Sequence, residues 1–552
     1  MRFPVRSSIG RLAFLASIAL VPALGAQQVD PHTYRPGIDV LDYEFSIDLP
    51  DTGSVIAGRA AITVREYALV DTLVLDLLDL HVDSAWVNGR PVPFRRDSAT
   101  IRIPLPARRA ATDTNLVVVK YGGAVTDGLI VRQDSLKRWT YFGDNWPDRG
   151  RHWLPSVDHP SDKATVTWIV RAPSDRKVVA NGLRVSETPI VNTRPARTQT
   201  RWRQDQPIAV YLMVIAAAPL FEYSLGETAC GVASVARCVP QWVYVAPEVR
   251  DFLPGPFAQV GNIVAFYGGL VGPFPYAKLA HLESSTRFGG MENASAIFYA
   301  DRGFRRRTMG VGVVAHETAH QWFGDGVTER EWPHLWLSEG FATYFAALWD
   351  QHASGDSAFR AGMERIRRTV VTNDVVARRP VIDTIETNLM ALLNRNSYEK
   401  GGFVLHMLRS MLGDSAFFGA LRSYQKKYLH GNALSDDLRR EFEATGKTDL
   451  RWFFDQWLTR PGFPELTTWW SWDAQKKVLV LDVNQGTRFG FFRFPLVIEV
   501  QHANGTRQRM RVDIPAQAST RLTLAPELLE APANVVFDPG VELLATIQKR
   551  NK

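Results

Sequence analysis

The 552-residue sequence predicts a multidomain α+β protein with an N-terminal all-β domain, a mainly helical middle domain and a small C-terminal β-sandwich. Three observations lead there. The chain is too long for one hydrophobic core and suits about three domains. Short β-prone runs punctuated by Gly, Asp, Asn and Pro fill its first part. A 3.6-residue apolar spacing then takes over, and alternation returns after a Pro/Gly break.

Residues 1–26 have a basic start, an apolar stretch from Leu12 to about Leu24, and small residues at Gly25 and Ala26. That is the layout of a cleaved secretory signal, so the protein is expected to be exported, either periplasmic or secreted. A retained N-terminal anchor is the alternative. No later segment reaches 18 apolar residues, so no membrane span is expected once the signal is removed.

Residues 27–224 form the expected β domain, with runs such as "YEFSIDL", "AAITVRE", "NLVVVKY", "ATVTWIVRAP" and "AVYLMVIAAA" separated by "LPDTGS" and "VNGRPVP". Residues 225–463 open with β-like "QWVYVAP" and then read as helices in "FAQVGNIVAFYGGLV", "MGVGVVAHETAHQWF", "SEGFATYFAALWD", "FRAGMERIRRTVV", "KGGFVLHMLRSML" and "DSAFFGALRSYQKKYL". The stretch "WLTRPGFPELTTWW" breaks that pattern. Residues 464–552 follow with alternating strands such as "KKVLVLDV", "FRFPLVIEVQ" and "QRMRVDI", and are expected to form the sandwich.

Composition excludes little else. Hydrophobic residues at 45% and charged residues at 22% are ordinary for a globular protein. The net charge of +7 includes Arg2, Arg6 and Arg11 of the signal, which leaves about +4 after cleavage. Arg305–Arg307 stands without any finger, RNP or basic-helix pattern, and nucleic acid is not an expected partner. The two cysteines, Cys230 and Cys238, suit a small disulfide loop in an exported chain, with two buried thiols as the alternative.

The chemistry centres on "HETAH". Residues four apart on a helix lie one above the other, so His316 and His320 can reach one ion. Glu317 lies about 100° round the helix, beside the ion, where a base belongs. The motif arises by chance in roughly one to two per cent of chains of this length and composition. A catalytic zinc needs a third protein ligand. Glu339 offers it from the next helix, with 18 residues between it and His320, and Ser338 or Pro333 could open that helix. His334, in a Trp/Pro-rich connection, is the rival ligand. The donor set also admits other divalent metals.

The segments "RFGGMENASAIFY", "HETAHQWFGD", "LWLSEGFA", "SYEKG" and "WLTRPGFPEL" stand in an order that resembles the zinc aminopeptidase family of aminopeptidase N and leukotriene hydrolase. Upstream, "RGRHWLPSVDHPSDKATVTW" and "VVANG" resemble its N-terminal β domain. The resemblance covers most of residues 39–465. It implies a thermolysin-like fold for the middle domain and one Zn2+ per chain on His316, His320 and Glu339, with Glu317 as general base. It also implies that Glu292 of "GGMEN" (Gly289, Gly290, Met291, Glu292, Asn293) holds the substrate's free ammonium group. The glycines let that edge strand approach the substrate backbone. Tyr398 is implied as donor to the oxyanion. Where the family's β domain often carries a Gln that shares the ammonium, this chain offers Asp144. The family's large members also have a long helical C-terminal domain, which is not read here.

An exported zinc aminopeptidase acting on peptides with free N-termini is therefore expected. The rivals are a thermolysin-type zinc endopeptidase, an epoxide hydrolase on the same metal site, and a peptide-binding scaffold without activity. "GGMEN" argues against the endopeptidase, and the presence of Glu317, Glu339 and Tyr398 argues against the scaffold. Oligomeric state and the preferred N-terminal residue are not readable from spacing.

Overall fold

The computed structural model describes residues 35–106, 114–228, 238–525 and 531–550; the signal reading on residues 1–26 and Cys230 lie outside them. Cys238 is disulfide-bonded, and Cys230 is the one other cysteine in the sequence.

A sheet with one covered face demands alternate burial along its strands. Ile38–Asp48 meets that demand by burying Val40, Tyr43, Phe45 and Ile47. It sits inside an eight-stranded sheet, antiparallel to Val55–Glu66 and parallel to Lys163–Pro173. Trp168 anchors the core beneath it, stacked on Trp153 with ring centroids 5.7 Å apart and tilted against Phe45 at 5.2 Å. A four-stranded sheet follows, in the order Lys177–Ala180, Ile215–Ala218, Trp139–Gly143, Leu129–Gln133. Its strand Trp139–Gly143 runs directly into Asp144 and Trp146.

The middle domain contains the expected helices, now bounded as Val260–Val271, Val311–His320, Trp336–Ser354, Asp356–Val371, Gly401–Leu412 and Asp414–Tyr428. Further helices, the short Asp301–Arg305 and Asp374–Arg378 and then Ser435–Gly446 and Arg451–Leu458, lie among and after them. The domain also holds a five-stranded sheet, ordered Phe221–Glu227, Pro240–Val245, Leu279–Ser284, Ala296–Ala300, Gly290–Met291. Leu279–Ser284 and Ala296–Ala300 are parallel neighbours buried along their whole length. Burial on both faces removes the alternation by which a strand is read from sequence, and for that reason these strands were not expected. Gly290–Met291 forms the edge, antiparallel to Phe298–Tyr299. Beyond residue 464 lie a four-stranded and a three-stranded sheet, whose buried faces carry Leu479, Leu481 and Val483 on one and Leu496, Ile498 and Val500 on the other.

The helix Trp336–Ser354 lies against both Val311–His320 and Gly401–Leu412. Glycine makes the second contact possible. A Cβ on Gly340 would stand 2.9 Å from the Gly401 carbonyl carbon, and one on Gly401 would stand 3.2 Å from the Gly340 Cα. Backbone atoms cannot swing aside as a side-chain tip can. Gly340→Ala is therefore expected to destabilise the fold by about 1–3 kcal/mol through overpacking. A urea titration would read this as a lowered midpoint, and an unchanged midpoint would mean that the helices part without cost.

Candidate active site

The helix Val311–His320 places His316 and His320 on one face, and the first turn of Trp336–Ser354 brings Glu339 to them. The two imidazole Nε2 atoms are 3.2 Å apart. Glu339 Oε2 lies 3.4 Å from His316 Nε2 and 3.3 Å from His320 Nε2. That oxygen is buried and has no hydrogen-bond partner. Ligands about 2.0–2.1 Å from a tetrahedral ion stand about 3.3–3.4 Å from one another, so the triangle has the size a small divalent cation requires.

The tautomer of His320 is set by its other nitrogen. Nδ1 is 2.9 Å from Ser338 Oγ and 3.2 Å from the Phe323 carbonyl. A carbonyl only accepts, so Nδ1 carries a proton; Nε2 is the nitrogen that faces Glu339, and it offers its lone pair to a metal when His320 is neutral. Burial by itself would raise the Glu339 carboxyl, but His320 and His316 overcome it and hold the group below its ordinary range. The helix opens at Trp336, after a 3₁₀ turn Trp332–His334 that contains Pro333, so Ser338 is inside the first turn and not its opener. The rival ligand His334 points elsewhere, its Nδ1 2.7 Å from Ser435 Oγ.

A cavity of about 450 Å³ opens over the triad, lined among others by Trp146, Phe288, Gly289, Gly290, Met291, Glu292, Glu317 and Tyr398. A carboxylate oxygen of Glu292, one of Glu317 and a ring nitrogen of His320 lie within 4.8 Å of one another. Burial raises both carboxyls; the neighbouring Glu339 adds to the rise in each, and His320 opposes it. The edge strand passes close over Glu317. A Cβ on Gly290 would meet Glu317 Oε1 at 2.1 Å, so a side chain there would displace the Glu317 carboxyl, while Gly289 faces open space.

Tyr398 lies in a single π-helical turn, Asn396–Lys400, that leads into Gly401–Leu412. Its hydroxyl donates to Glu339 Oε1 at 2.8 Å, and its ring stacks on His316 with centroids 6.0 Å apart. Burial first, and then Glu339, push the hydroxyl far above its ordinary range, so it stays a donor. Asn293 is buried outside the cavity wall, where its carbonyl accepts from Ala296 N–H at 2.8 Å and closes a turn.

Asp144 corrects the expectation placed on it. The side chain is fully buried, off the cavity wall. One oxygen accepts from Thr286 Oγ1 at 2.9 Å, and the other pairs with Arg149 at 2.8 Å and Arg287 at 3.3 Å. With both oxygens engaged, neither is free for a substrate ammonium group. Among the described residues of the N-terminal β domain, the one that does reach the cavity is Trp146, two positions on.

Two further roles were not read from sequence. Gln321 donates to the Glu292 carbonyl and to Asp325 Oδ2, both at 2.7 Å, and accepts from Ser295 N–H at 2.7 Å, so it clamps the "GGMEN" turn to the metal-motif helix. Ser338 orients His320; the hint in the sequence was adjacency to a ligand, Gln321 to His320 and Ser338 to Glu339. Loss of a group that orients a ligand costs about 10–100-fold in metal affinity. Ser338→Ala should lower affinity by that much in a competition titration against a chromophoric chelator; unchanged affinity would show that the Phe323 carbonyl suffices.

Comparison with known proteins gives the family and the fold. The model described as "Peptidase M1 N-terminal domain" matches residues 39–212, and "Peptidase family M1 domain" matches residues 260–457. "Tricorn protease-interacting factor F2" of Thermoplasma acidophilum is 25% identical over 499 residues, covering 86% of this chain and 59% of its own length. "Leucyl aminopeptidase" of Saccharolobus solfataricus is 26% identical over 419 residues, covering 71% of this chain and 50% of its own. The chain thus spans about half the length of the curated relatives it matches. Among solved structures, the M1 zinc metallopeptidase from Deinococcus radiodurans is similar with a TM-score of 0.68 at 25% identity, over 78% of this chain and 95% of that one. Legionella pneumophila aminopeptidase A shares the fold at a TM-score of 0.79 and 17% identity, over 94% of this chain and 60% of that one. With one of the two family models on its β domain and the other on the helices that carry the triad, the chain belongs to peptidase family M1.

Proposed function

We propose that the protein is an exported zinc aminopeptidase that removes N-terminal residues from peptides. The observation that carries this reading is Glu292, a buried carboxylate on the cavity wall within 4.8 Å of Glu317 and His320. An endopeptidase has no use for a carboxylate held one residue from the cut. An aminopeptidase needs one there to pair with the free ammonium group. The Deinococcus relative's description as a zinc metallopeptidase and the name of the Saccharolobus relative agree with the metal and the activity. Export rests on the layout of residues 1–26.

Zinc on His316, His320 and Glu339 would supply Lewis-acid polarisation of the scissile carbonyl and a water more acidic than bulk water. The remaining roles belong to the chain. Glu317, raised by burial, takes a proton from the attacking water and delivers it to the leaving amine. The Tyr398 hydroxyl donates to the oxygen that gains charge. The edge strand Gly290–Met291 presents backbone groups with which an extended peptide can pair as an added strand.

Free-amine aminoacyl-anilides are expected to be cleaved in a chelator-sensitive manner, and their N-acetylated versions are not. Glu292→Ala should remove most of the activity, and Tyr398→Phe should lower kcat by about 10²–10³-fold. Equal cleavage of blocked substrates would put the endopeptidase first. No cleavage of either by metal-loaded protein would leave a peptide-binding scaffold.

A further inference from the structure

Lys400 stands two residues after Tyr398, at the end of the π-helical turn Asn396–Lys400. It is fully buried, and no step of the hydrolysis uses it. Its Nζ donates to the Arg460 carbonyl at 3.2 Å, and among the described residues it has no carboxylate partner. Burial first, and then the charge on Arg460, bring the group down to about 7. An apolar side chain of the same length would escape the cost of that burial. Such a group needs a reason to be there.

The turn supplies one. The Lys400 N–H bonds the Arg395 carbonyl, five residues back, at 2.9 Å, which makes a wider turn than the α-helix Gly401–Leu412 that follows. Single π turns are rare and cluster at functional sites. Three side chains fasten this one to carbonyls outside it: Asn396 to Arg379 at 3.0 Å, Ser397 to Leu392 at 2.6 Å and Lys400 to Arg460. The first two reach back along the chain. Lys400 reaches forward, to the connection just past the C-terminal end of the helix Arg451–Leu458, where a helix favours positive charge. Arg460 is held in turn by the loop between the strands Val478–Gln485 and Phe494–Gln501 of the sandwich. Its guanidinium donates to the Phe489 carbonyl at 3.1 Å and lies 4.7 Å from the centre of the Phe492 ring. Gln456 of the same helix donates to the Arg493 carbonyl at 2.9 Å and accepts from the Arg493 N–H at 2.8 Å.

We propose that Lys400 is a positioning residue for Tyr398. It fixes the downstream end of the turn that aims the tyrosine hydroxyl at the metal site. Through it the C-terminal sandwich, which among the described residues lends no side chain to the cavity wall, sets the geometry of the oxyanion donor. The inference rests on the reading of Tyr398 as that donor. The Glu339 carboxylate and the His316 ring hold the tip of the tyrosine, and the turn holds its base. A displacement of about 1 Å at a catalytic group costs on the order of 10²-fold in rate, so the base matters as much as the tip.

The test is a double-mutant cycle on Leu-anilide and its N-acetylated control, with kcat expressed per zinc-loaded site. Lys400→Met keeps the length of the side chain and removes the donor. It should lower kcat by about 10–100-fold with KM little changed. In the Tyr398→Phe background the same substitution should cost less than about threefold, because the hydroxyl it positions is already gone. A merely structural role would leave kcat per loaded site in place, or would cost the same in both backgrounds, and either result overturns the proposal. Should Lys400→Met fail to fold, Arg460→Met decides, because it releases the carbonyl's anchor on Phe489. It should lower kcat by a smaller factor, and an unmoved kcat, or an equal loss beside Tyr398→Phe, overturns the proposal. Wild-type kcat in Tyr398→Phe overturns the oxyanion role and the proposal with it. Equal cleavage of the N-acetylated control overturns the aminopeptidase reading alone, and the cycle is then read on that substrate. No cleavage of either by the wild type overturns both.

Discussion

The backbone contact between Gly340 and Gly401 is the constraint on which the site depends. Glu339 precedes the first glycine and Tyr398 lies three residues before the second, so the helix-to-helix distance sets the distance between the two side chains. The resulting hydroxyl–carboxylate bond is 2.8 Å. Gly402 extends the contact, since a Cβ there would stand 3.2 Å from the Gly340 carbonyl oxygen. A close approach made by backbone has no soft degree of freedom, in contrast to one made by rotating side chains. Catalytic geometry tolerates errors of only about half an ångström, so a rigid spacer is the appropriate device.

Charge supplies the second constraint. Glu292, Glu317 and Glu339 are all buried in one small cavity with two imidazoles. Desolvation raises the first two, and repulsion from Glu339 raises both further. The nearby buried cation does not relieve this, because Lys163 Nζ donates to the carbonyls of Asp325, Gly326 and Gly431. A divalent cation between the imidazoles and Glu339 Oε2 balances the cluster directly. Metal binding and stability of the middle domain are then linked by mass action.

What was legible in the sequence follows from this physics. His316 and His320 are read from four-residue spacing, because the helix alone determines that they share a face. Glu339 is read from its distance along the chain and the helix that follows. Gly290 is read as glycine in a motif, although its reason, the passage over Glu317, is visible only in three dimensions. Asp144 and Trp146 could not be told apart by sequence. They follow the strand Trp139–Gly143 in a segment without periodicity, and what separates them is the direction in which each side chain leaves the backbone. The strands Leu279–Ser284 and Ala296–Ala300 escaped notice because full burial erases alternation, the signal by which a half-buried strand is told from its surroundings.

Glu292 raises the question of what holds a carboxylate in place at the tip of a two-residue edge strand. Such a strand has few ladder bonds of its own. The answer lies in contacts from both domains. Gln321 takes the Glu292 carbonyl from the metal-motif helix. Asn181 Nδ2 donates to the Ala294 carbonyl at 2.8 Å, and Gly182 N–H donates to Ser295 Oγ at 2.8 Å, both from the β domain. Lys278 Nζ bridges the carbonyls of Ala180 and Ser295. On the upstream side, Asp144 grips Thr286 and Arg287. The segment from Thr286 to Ser295 is thus fastened at both ends to a domain that contributes no metal ligand. Asp144 thus matters to Glu292 without touching it, because it fixes the strand from which Glu292 extends. The N-terminal β domain is then part of the site's geometry as well as a neighbour to it, and the position of the Glu292 carboxylate is a property of the interface between the two domains.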